Sequence, residues 1–311
     1  MDELEIIAHK RIDGLTVFVD ALTYRTPHVH PEWEVLWLLE GTLQVSGGSK
    51  GWTMAPGEIA VFPPDDPHEL RAPRGCTFLC LQISEKWLPG TKRLRLDACR
   101  TQEHLSEVSA RTVRWWLWDI AHDYFDAQGQ YALSCLGRSC MVMKTLLEEL
   151  PCHIMSPEET AGLQRKNARL QRLIRYVDEN FKNKVSLSEF ARQEDCTVGY
   201  LSHFVRQAMH QTFQEYVESV RFHYACQRIA AGQRKMLDVC MEAGFSDYRY
   251  FSRAFKSRCG MTPEEFCRRE GKKLQVDTVQ RGGLSAERIY PPREALAILE
   301  QLTKAQIKGR G

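Results

Sequence analysis

The feature that most constrains this chain is a pattern stated twice, in which a short helix, a tight turn and a second helix follow one another. The first copy, residues 185–211, reads VSLSEFARQEDCTVGYLSHFVRQAMHQ. Ser186 with Glu189 three residues later is a capping-box signature that starts a helix. Phe190 and Ala191 face inward, and the polar stretch from Gln193 to Cys196 supplies the turn. The second helix then carries Leu201, Phe204, Val205 and Ala208 on one side and Gly199, Ser202, His203 and Arg206 on the other. The second copy, residues 237–260, reads LDVCMEAGFSDYRYFSRAFKSRCG, with Gly244 at its turn. Phe251 and Phe255, spaced i, i+4, bury inward, while Tyr248, Arg249, Ser252, Arg253 and Lys256 project outward. Thr262-Pro263-Glu264-Glu265 caps a further helix with proline at its first position. Equating Phe204 with Phe255 sets the repeat at 51 residues, and a long helix over 214–231 separates the copies.

One amphipathic helix pair is ordinary packing, but two matched pairs with small or polar exposed faces describe helix-turn-helix units. A recognition helix enters the major groove, where arginine pairs with guanine edges and lysine or serine holds phosphate. Two such helices on one chain reach successive major-groove faces about 34 Å apart. The charge distribution agrees. Residues 1–167 hold 17 Lys+Arg against 23 Asp+Glu, a balance of −6, whereas residues 168–311 hold 25 against 17, a balance of +8. Polyanion contact therefore falls to the second half, with double-stranded DNA as the partner.

The first hundred residues have a different period. Short apolar stretches at 15–19, 35–39, 59–62 and 78–83 alternate with turn clusters such as Gly47-Gly48-Ser49, Ala55-Pro56-Gly57 and Pro63-Pro64-Asp65-Asp66-Pro67. That spacing predicts a β-sandwich or small barrel over 1–100. His28, His30 and Glu34 share strand parity, which lets their side chains enter one interior, and His68 joins from a neighbouring strand.

Residues 168–270 resemble the DNA-binding domain of the AraC/XylS family of regulators, most closely in GFSDYRYFSRAFKSRCGMTPEEF at 244–266. The resemblance implies base-reading positions at Gly199, Ser202 and His203 in the first unit, with Arg206 nearer the backbone. In the second it implies Tyr248, Arg249 and Arg253, with Lys256 nearer the phosphates. Gly199 has no side chain with which to read a base, and His210 stands where the family usually has glycine. The run HVHPEWEVLWLLEG from His28 fits the first cupin motif, HxHxxxExxxxxxG, at His28, His30, Glu34 and Gly41, and Ala55-Pro56-Gly57-Glu58 with His68 echoes the second. Residues 15–85 thus resemble the cupin barrel found ahead of many such DNA-binding domains. This implies a small-molecule effector site lined by His28, His30, Glu34, Trp37 and His68, with no cofactor required. The same His28, His30, Glu34 and His68 form a donor set for Fe, Mn, Ni or Zn, which is the alternative occupant.

Between the two halves, Leu133, Leu136, Cys140, Met143, Leu147 and Leu150 make a narrow stripe on one helix, and Val113, Leu117, Ile120 and Tyr124 make another just upstream. The 101–150 hairpin so formed either packs on the barrel or supplies a dimer seam. Residues 151–167 read as a linker with two prolines, inside which a short helix could begin, and 271–311 as a C-terminal extension with a short helix over 293–306 and no assigned role.

The whole is expected to be a multidomain α and β protein: a cupin-like barrel, a helical hairpin and an all-α domain with two helix-turn-helix units. No apolar run approaches the roughly 20 residues of a membrane span, and the acidic start MDELEIIAHK lacks a signal-peptide core. Eleven cysteines without a CxxC pair fit reduced thiols in the cytosol. A cytoplasmic, homodimeric, effector-responsive transcription regulator, whether activator or repressor, with RNA polymerase as a further partner and no membrane contact, is the expected function. It is not expected to be an enzyme. The rivals are a metal-dependent cupin isomerase or oxygenase fused to a DNA-binding tail, and a redox sensor built on the cysteines.

Overall fold

A computed structural model describes residues 12–47, 50–96, 100–209, 211–230, 232–233, 235–269 and 286–307. His210, the N-terminal ten residues, the Gly48-Ser49 turn and Gly282-Gly283 lie outside the described residues.

Among the described residues, the N-terminal half and one C-terminal strand form a seven-stranded antiparallel sheet. Its strands are β1 (Leu15–His28), β2 (Glu32–Gly41), β3 (Leu43–Gly47), β4 (Lys50–Met54), β5 (Ile59–Phe62), β6 (His68–Ser84) and β9 (Ala286–Ile289). The long β6 changes neighbours midway. Its start pairs with β3 (Gln44↔Arg71, Gly47↔His68) and its remainder with β2 (Gly41↔Cys76 to Glu32↔Ser84), while β1 runs along the other edge. Alternate residues then segregate. Phe18, Leu36, Leu43, Met54, Phe62 and Phe78, from six different strands, share one buried cluster, so the sheet is curled about an interior. The opposite parity, including Val19, Trp33, Val35, Trp37 and Leu81, packs outward against helices.

Those helices are α1 (Glu107–Asp126) and α2 (Tyr131–Glu149). Met143 and Leu150 are buried, and Leu136, Cys140 and Leu147 pack against the same core, so the stripe on α2 is used against α1 and the barrel. Leu133 alone of that stripe stands 68% exposed. The C-terminal extension returns to the same layer. β9 pairs with β1, and the helix Pro292–Ile307, α10 here, sets Ala295 and Leu299 into the core at 0% exposure. The expected helix is present; the strand before it is not legible as one in the sequence.

Residues 151–167 are not an open linker. β7 (Leu94–Leu96) pairs with β8 (Cys152–Ile154), and α3 (Pro157–Asn180) begins at once. Ser156 and Glu159 form its capping box, the proline sits in its first turn, and the helix continues unbroken into the DNA-binding half.

That half comprises α3, α4 (Leu187–Gln193), α5 (Val198–Met209), α6 (Phe213–Ala230), α7 (Met236–Glu242), α8 (Tyr248–Cys259) and α9 (Pro263–Arg269). Two cores result: Leu173, Phe190, Leu201, Val205, Tyr216 and Val220 in one, and Phe222, Val239, Phe245, Phe251 and Phe255 in the other. α6 contributes to both, so it fixes the two units relative to each other. The expected capping box at Ser186 is not formed. Ser186 is the N-cap of α4 but makes no side-chain cap, because its hydroxyl meets Ser188 and Glu189 meets the Tyr176 hydroxyl instead. Thr212 with Glu215 and Thr262 with Glu265 do form reciprocal caps.

Candidate functional site

The barrel site is assembled at one end of the curled sheet. His28 ends β1 and lies opposite His68, the first residue of β6; His30 occupies the corner before β2, and Glu34 points inward from β2. The three motif residues therefore do not share one strand, as their spacing suggests. They converge because the chain turns at 29–31 and delivers them from two strands and a corner. One donor atom from each of the four lies within 4.8 Å of the others. His30 Nε2 approaches Glu34 Oε2 at 3.0 Å and His68 Nε2 approaches Glu34 Oε1 at 3.7 Å.

Neighbouring groups orient these donors. The Gln82 amide donates to Glu34 Oε2 at 2.8 Å. His68 Nδ1 is 2.9 Å from the Asp66 carbonyl, which can only accept, so Nδ1 donates there and Nε2 is the nitrogen that faces Glu34. Phe62 stacks on the His68 ring with centroids 4.1 Å apart.

Burial would push the Glu34 carboxyl up, but the imidazoles of His30 and His68 beside it outweigh burial and hold the group well below the usual range. Burial likewise works against the charged form of His30, yet Glu34 reverses the balance and raises it. His28 is driven well down, first by burial and then by the charges of His68 and Arg25. An anionic carboxylate thus lies among buried imidazoles.

These residues fit a metal ion. Nε2 of His68 and Oε1 of Glu34 are buried and make no hydrogen bond. Two donors about 2.1 Å from one ion are at most about 4.2 Å apart, so the spread of up to 4.8 Å here would have to close by a small side-chain movement on binding. Imidazole with carboxylate suits Zn, Fe, Ni or Mn. Replacing Gln82 with alanine frees the Glu34 carboxylate to rotate. It is expected to weaken metal binding about 10–100-fold, which calorimetric titration of the purified protein with Ni²⁺ or Zn²⁺ would read.

Trp37 does not belong to this site. It alternates with Glu34, Leu36 and Leu38, so it faces the helical layer, where it is fully buried against α1 and α2. Among the described cysteines none is in a disulfide, and burial pushes the Cys76 and Cys135 thiols up to about 12, away from the reactive thiolate form.

The second candidate surface is the paired outer face of α5 and α8. Val198 and Tyr248 open these helices and Met209 and Cys259 close them, each pair 50 positions apart. Leu201 matches Phe251, and Val205 matches Phe255, all essentially fully buried. The repeat is therefore 50 residues, and Phe204 is not the counterpart of Phe255. In this register Gly199 corresponds to Arg249, Ser202 to Ser252, His203 to Arg253 and Arg206 to Lys256. Of these, only Ser252 is half-buried; the others are exposed.

Tyr248 is a correction. With Phe251 and Phe255 it completes an i, i+3, i+7 stripe. It is half-buried beside Phe251, and its hydroxyl is bonded to Glu264 of α9. Tyr250 stands out instead, 51% exposed, with the Arg253 guanidinium over its ring at 5.3 Å. Tyr200 occupies the matching place in α5 at 48% exposure. The same helical spacing, applied to the tyrosines as well as the phenylalanines, separates Tyr248 from Tyr250 in the sequence. Asp247 caps α8 by accepting from the amides of Arg249 and Tyr250 at 2.8 and 3.1 Å, and Thr197 does so for α5 from the Tyr200 amide at 3.2 Å.

The first unit is braced by Glu194, which accepts from Arg169 and Arg172 of α3. Hydrogen bonds from Arg172, then from Arg169, draw its pKa down to about 2. An unfolded glutamate titrates near 4.3, so the brace stabilises the fold above about pH 4.3 and its contribution is lost as the pH falls towards 2. Glu194→Gln should flatten the stability profile across that window, as followed by circular dichroism during acid titration.

Two families match the chain. One described as a helix-turn-helix domain matches residues 190–269, and one described as an AraC-like ligand binding domain matches residues 17–115. The regulatory protein SoxS of Salmonella typhimurium is 27% identical over 97 residues, which are 31% of this chain and 91% of SoxS. The transcriptional activator RhaS of Mannheimia succiniciproducens is 24% identical over 130 residues, 42% of this chain and 47% of RhaS. The thermoregulatory protein LcrF of Yersinia pestis is 28% identical over 95 residues, 30% of this chain and 35% of LcrF.

Proposed function

We propose, from the premise that this chain is an AraC/XylS-family transcription regulator with an N-terminal cupin-like ligand-binding domain, that it reads a specific double-stranded DNA sequence through α5 and α8. Its DNA binding would answer to a ligand held by His28, His30, Glu34 and His68. The observation that carries the DNA reading is the matched exposure of Arg249, Arg253 and Lys256 on α8 with Ser202, His203 and Arg206 on α5, over cores that share α6. In the barrel, the convergence of four donors within 4.8 Å favours a divalent transition metal over an effector held by polar lining alone. His28, His30, Glu34 and His68 would hold such an ion, which would supply a fixed positive charge at this end of the barrel.

No helix among the described residues is long and apolar enough to cross a membrane. Action in the cytoplasm, a homodimer on the operator and contact with RNA polymerase complete the proposal. α8 carries two exposed arginines and a lysine where α5 carries glycine, histidine and one arginine, so α8 should supply most of the specificity. Arg253→Ala is expected to cost about 1–3 kcal/mol of discrimination at one base pair, whereas Lys256→Ala should weaken all sequences alike and lower the salt slope by about 1. Fluorescence anisotropy across a set of point-substituted operators at several salt concentrations separates the two. An unchanged preference in the Arg253 variant would remove its base-reading role.

The rival of a cupin enzyme shares the same four residues. Stoichiometric metal together with substrate turnover that is indifferent to DNA would favour it.

A further inference from the structure

We infer that the segment from His28 to His30, with the loop at Asp65–Asp66, transmits occupancy of the barrel site into the first helix-turn-helix unit; this rests on the reading of the four-residue cluster as the ligand site. Two of the four donors flank Val29. At the corner between β1 and β2, His28 and His30 turn towards Glu34 and His68, while Val29 between them turns out of the barrel. It packs there against the core that holds Leu170, Leu173 and Val177 of α3 and Leu201 and Val205 of α5. The ligand site and the scaffold of the first recognition helix are therefore one residue apart.

The second route runs through the loop before β6. The Asp65 amide donates to the His30 carbonyl at 2.9 Å, and the Asp66 carbonyl accepts from His68 Nδ1 at 2.9 Å. The Asp65 carbonyl in turn accepts from the Asn167 side chain on α3, which is 6% exposed. Asp65 sits at φ +60°, a left-handed turn conformation that aspartate tolerates better than most residues. Both routes thus begin at donor residues and end on α3 or on the core it shares with α5. A ligand that draws His30 and His68 together moves Val29 and the Asp65 carbonyl with them. Close-packed cores and hydrogen-bonded struts pass such a shift on rather than absorb it.

A different contact joins the halves elsewhere and uses no donor residue. The Tyr24 ring stacks on His223 of α6 with centroids 3.3 Å apart, and its hydroxyl bridges Glu69 at 2.7 Å and Ser219 at 3.2 Å. It docks the barrel on the helix common to both units, which lets a displacement at α3 act against a fixed point.

The test uses the full chain, an operator selected from random DNA, and Ni²⁺, Mn²⁺ or Zn²⁺ alone as the probe. Saturating metal should change the operator Kd of the unsubstituted protein about 5–150-fold, and operator should change the metal Kd by the same factor. In Val29→Ala and Asn167→Ala the factor should shrink, and in the double variant approach unity. The metal Kd of the DNA-free variants should stay within about threefold of the parent, since no donor is touched. Val29→Ile should restore the coupling that Val29→Ala loses. Coupling retained in the double variant overturns the inference, as does an unsubstituted protein that binds metal without any change in DNA affinity, or that binds no metal. Failure to enrich any operator would instead count against the DNA-binding reading, and the inference would fall with it.

Discussion

Phe255→Ala is expected to destabilise the second helix-turn-helix unit by about 3–5 kcal/mol, the usual cost of emptying a buried aromatic site. The ring is fully buried and lies 4.8 Å from Phe222 of α6, 5.0 Å from Phe251 of α8 and 5.3 Å from Phe266 of α9, centroid to centroid. It is the point at which three helices meet, so the cavity cannot close by shifting one of them. Urea unfolding followed by circular dichroism should show an early transition for this unit and a first unit little changed, because Leu173, Phe190 and Val205 form a separate core. Operator binding should be lost together with the early transition. Tyr250→Ala, on the exposed side of the same helix, should change stability by less than about 0.5 kcal/mol.

Gly244→Ala is expected to act as strongly by another route. Gly244 sits at φ +79° in the turn between α7 and α8, and a Cβ there would lie 2.5 Å from the Phe181 carbonyl oxygen and 2.8 Å from Lys182 Cα. A left-handed alanine costs about 1–2 kcal/mol, and forcing packed backbone apart adds about 1–3 kcal/mol. The obstacle is main chain that cannot rotate away. Arg221 of α6 holds it from the far side, donating to the carbonyls of Phe181 and Asn183 at 2.8 Å each. This junction carries the second unit on the end of α3, so the substitution should loosen the spacing between α5 and α8. Thermal unfolding should fall, and the variant should tolerate altered spacing between the two halves of the operator.

What the sequence made legible depended on the range of the signal. The two helix pairs, the long helix between them and the inward Phe251 and Phe255 follow from local period, and the structure has them. Matching the copies by residue type, Phe204 to Phe255, puts the repeat one residue out of register. Burial equates Phe255 with Val205, because a β-branched side chain and a phenyl ring fill the same position in cores of different width. Tyr248 has a polar tip, yet its spacing from Phe251 and Phe255 places it on the side of α8 that faces the core. Among the barrel residues, His28, His30, Glu34 and His68 do meet. Trp37 does not join them, since strand alternation from Glu34 turns it towards the hairpin. Strand β9 left no local mark. Four residues with no alternation become a strand only because β1 offers them an edge more than two hundred residues earlier in the chain. The continuity of α3 through the expected linker was signalled by Ser156, Pro157 and Glu159, a cap that outweighs the two prolines as evidence of a break.

The measurement that bears most directly on the central claim is selection of bound sequences from a random DNA pool, repeated with the Arg253→Ala protein. A sequence-specific regulator with two recognition helices should enrich one motif with two contact segments about one helical turn, roughly 34 Å, apart. The variant should lose preference in one segment and keep it in the other. Enrichment of no motif, with every sequence bound equally and released equally by salt, would contradict the account.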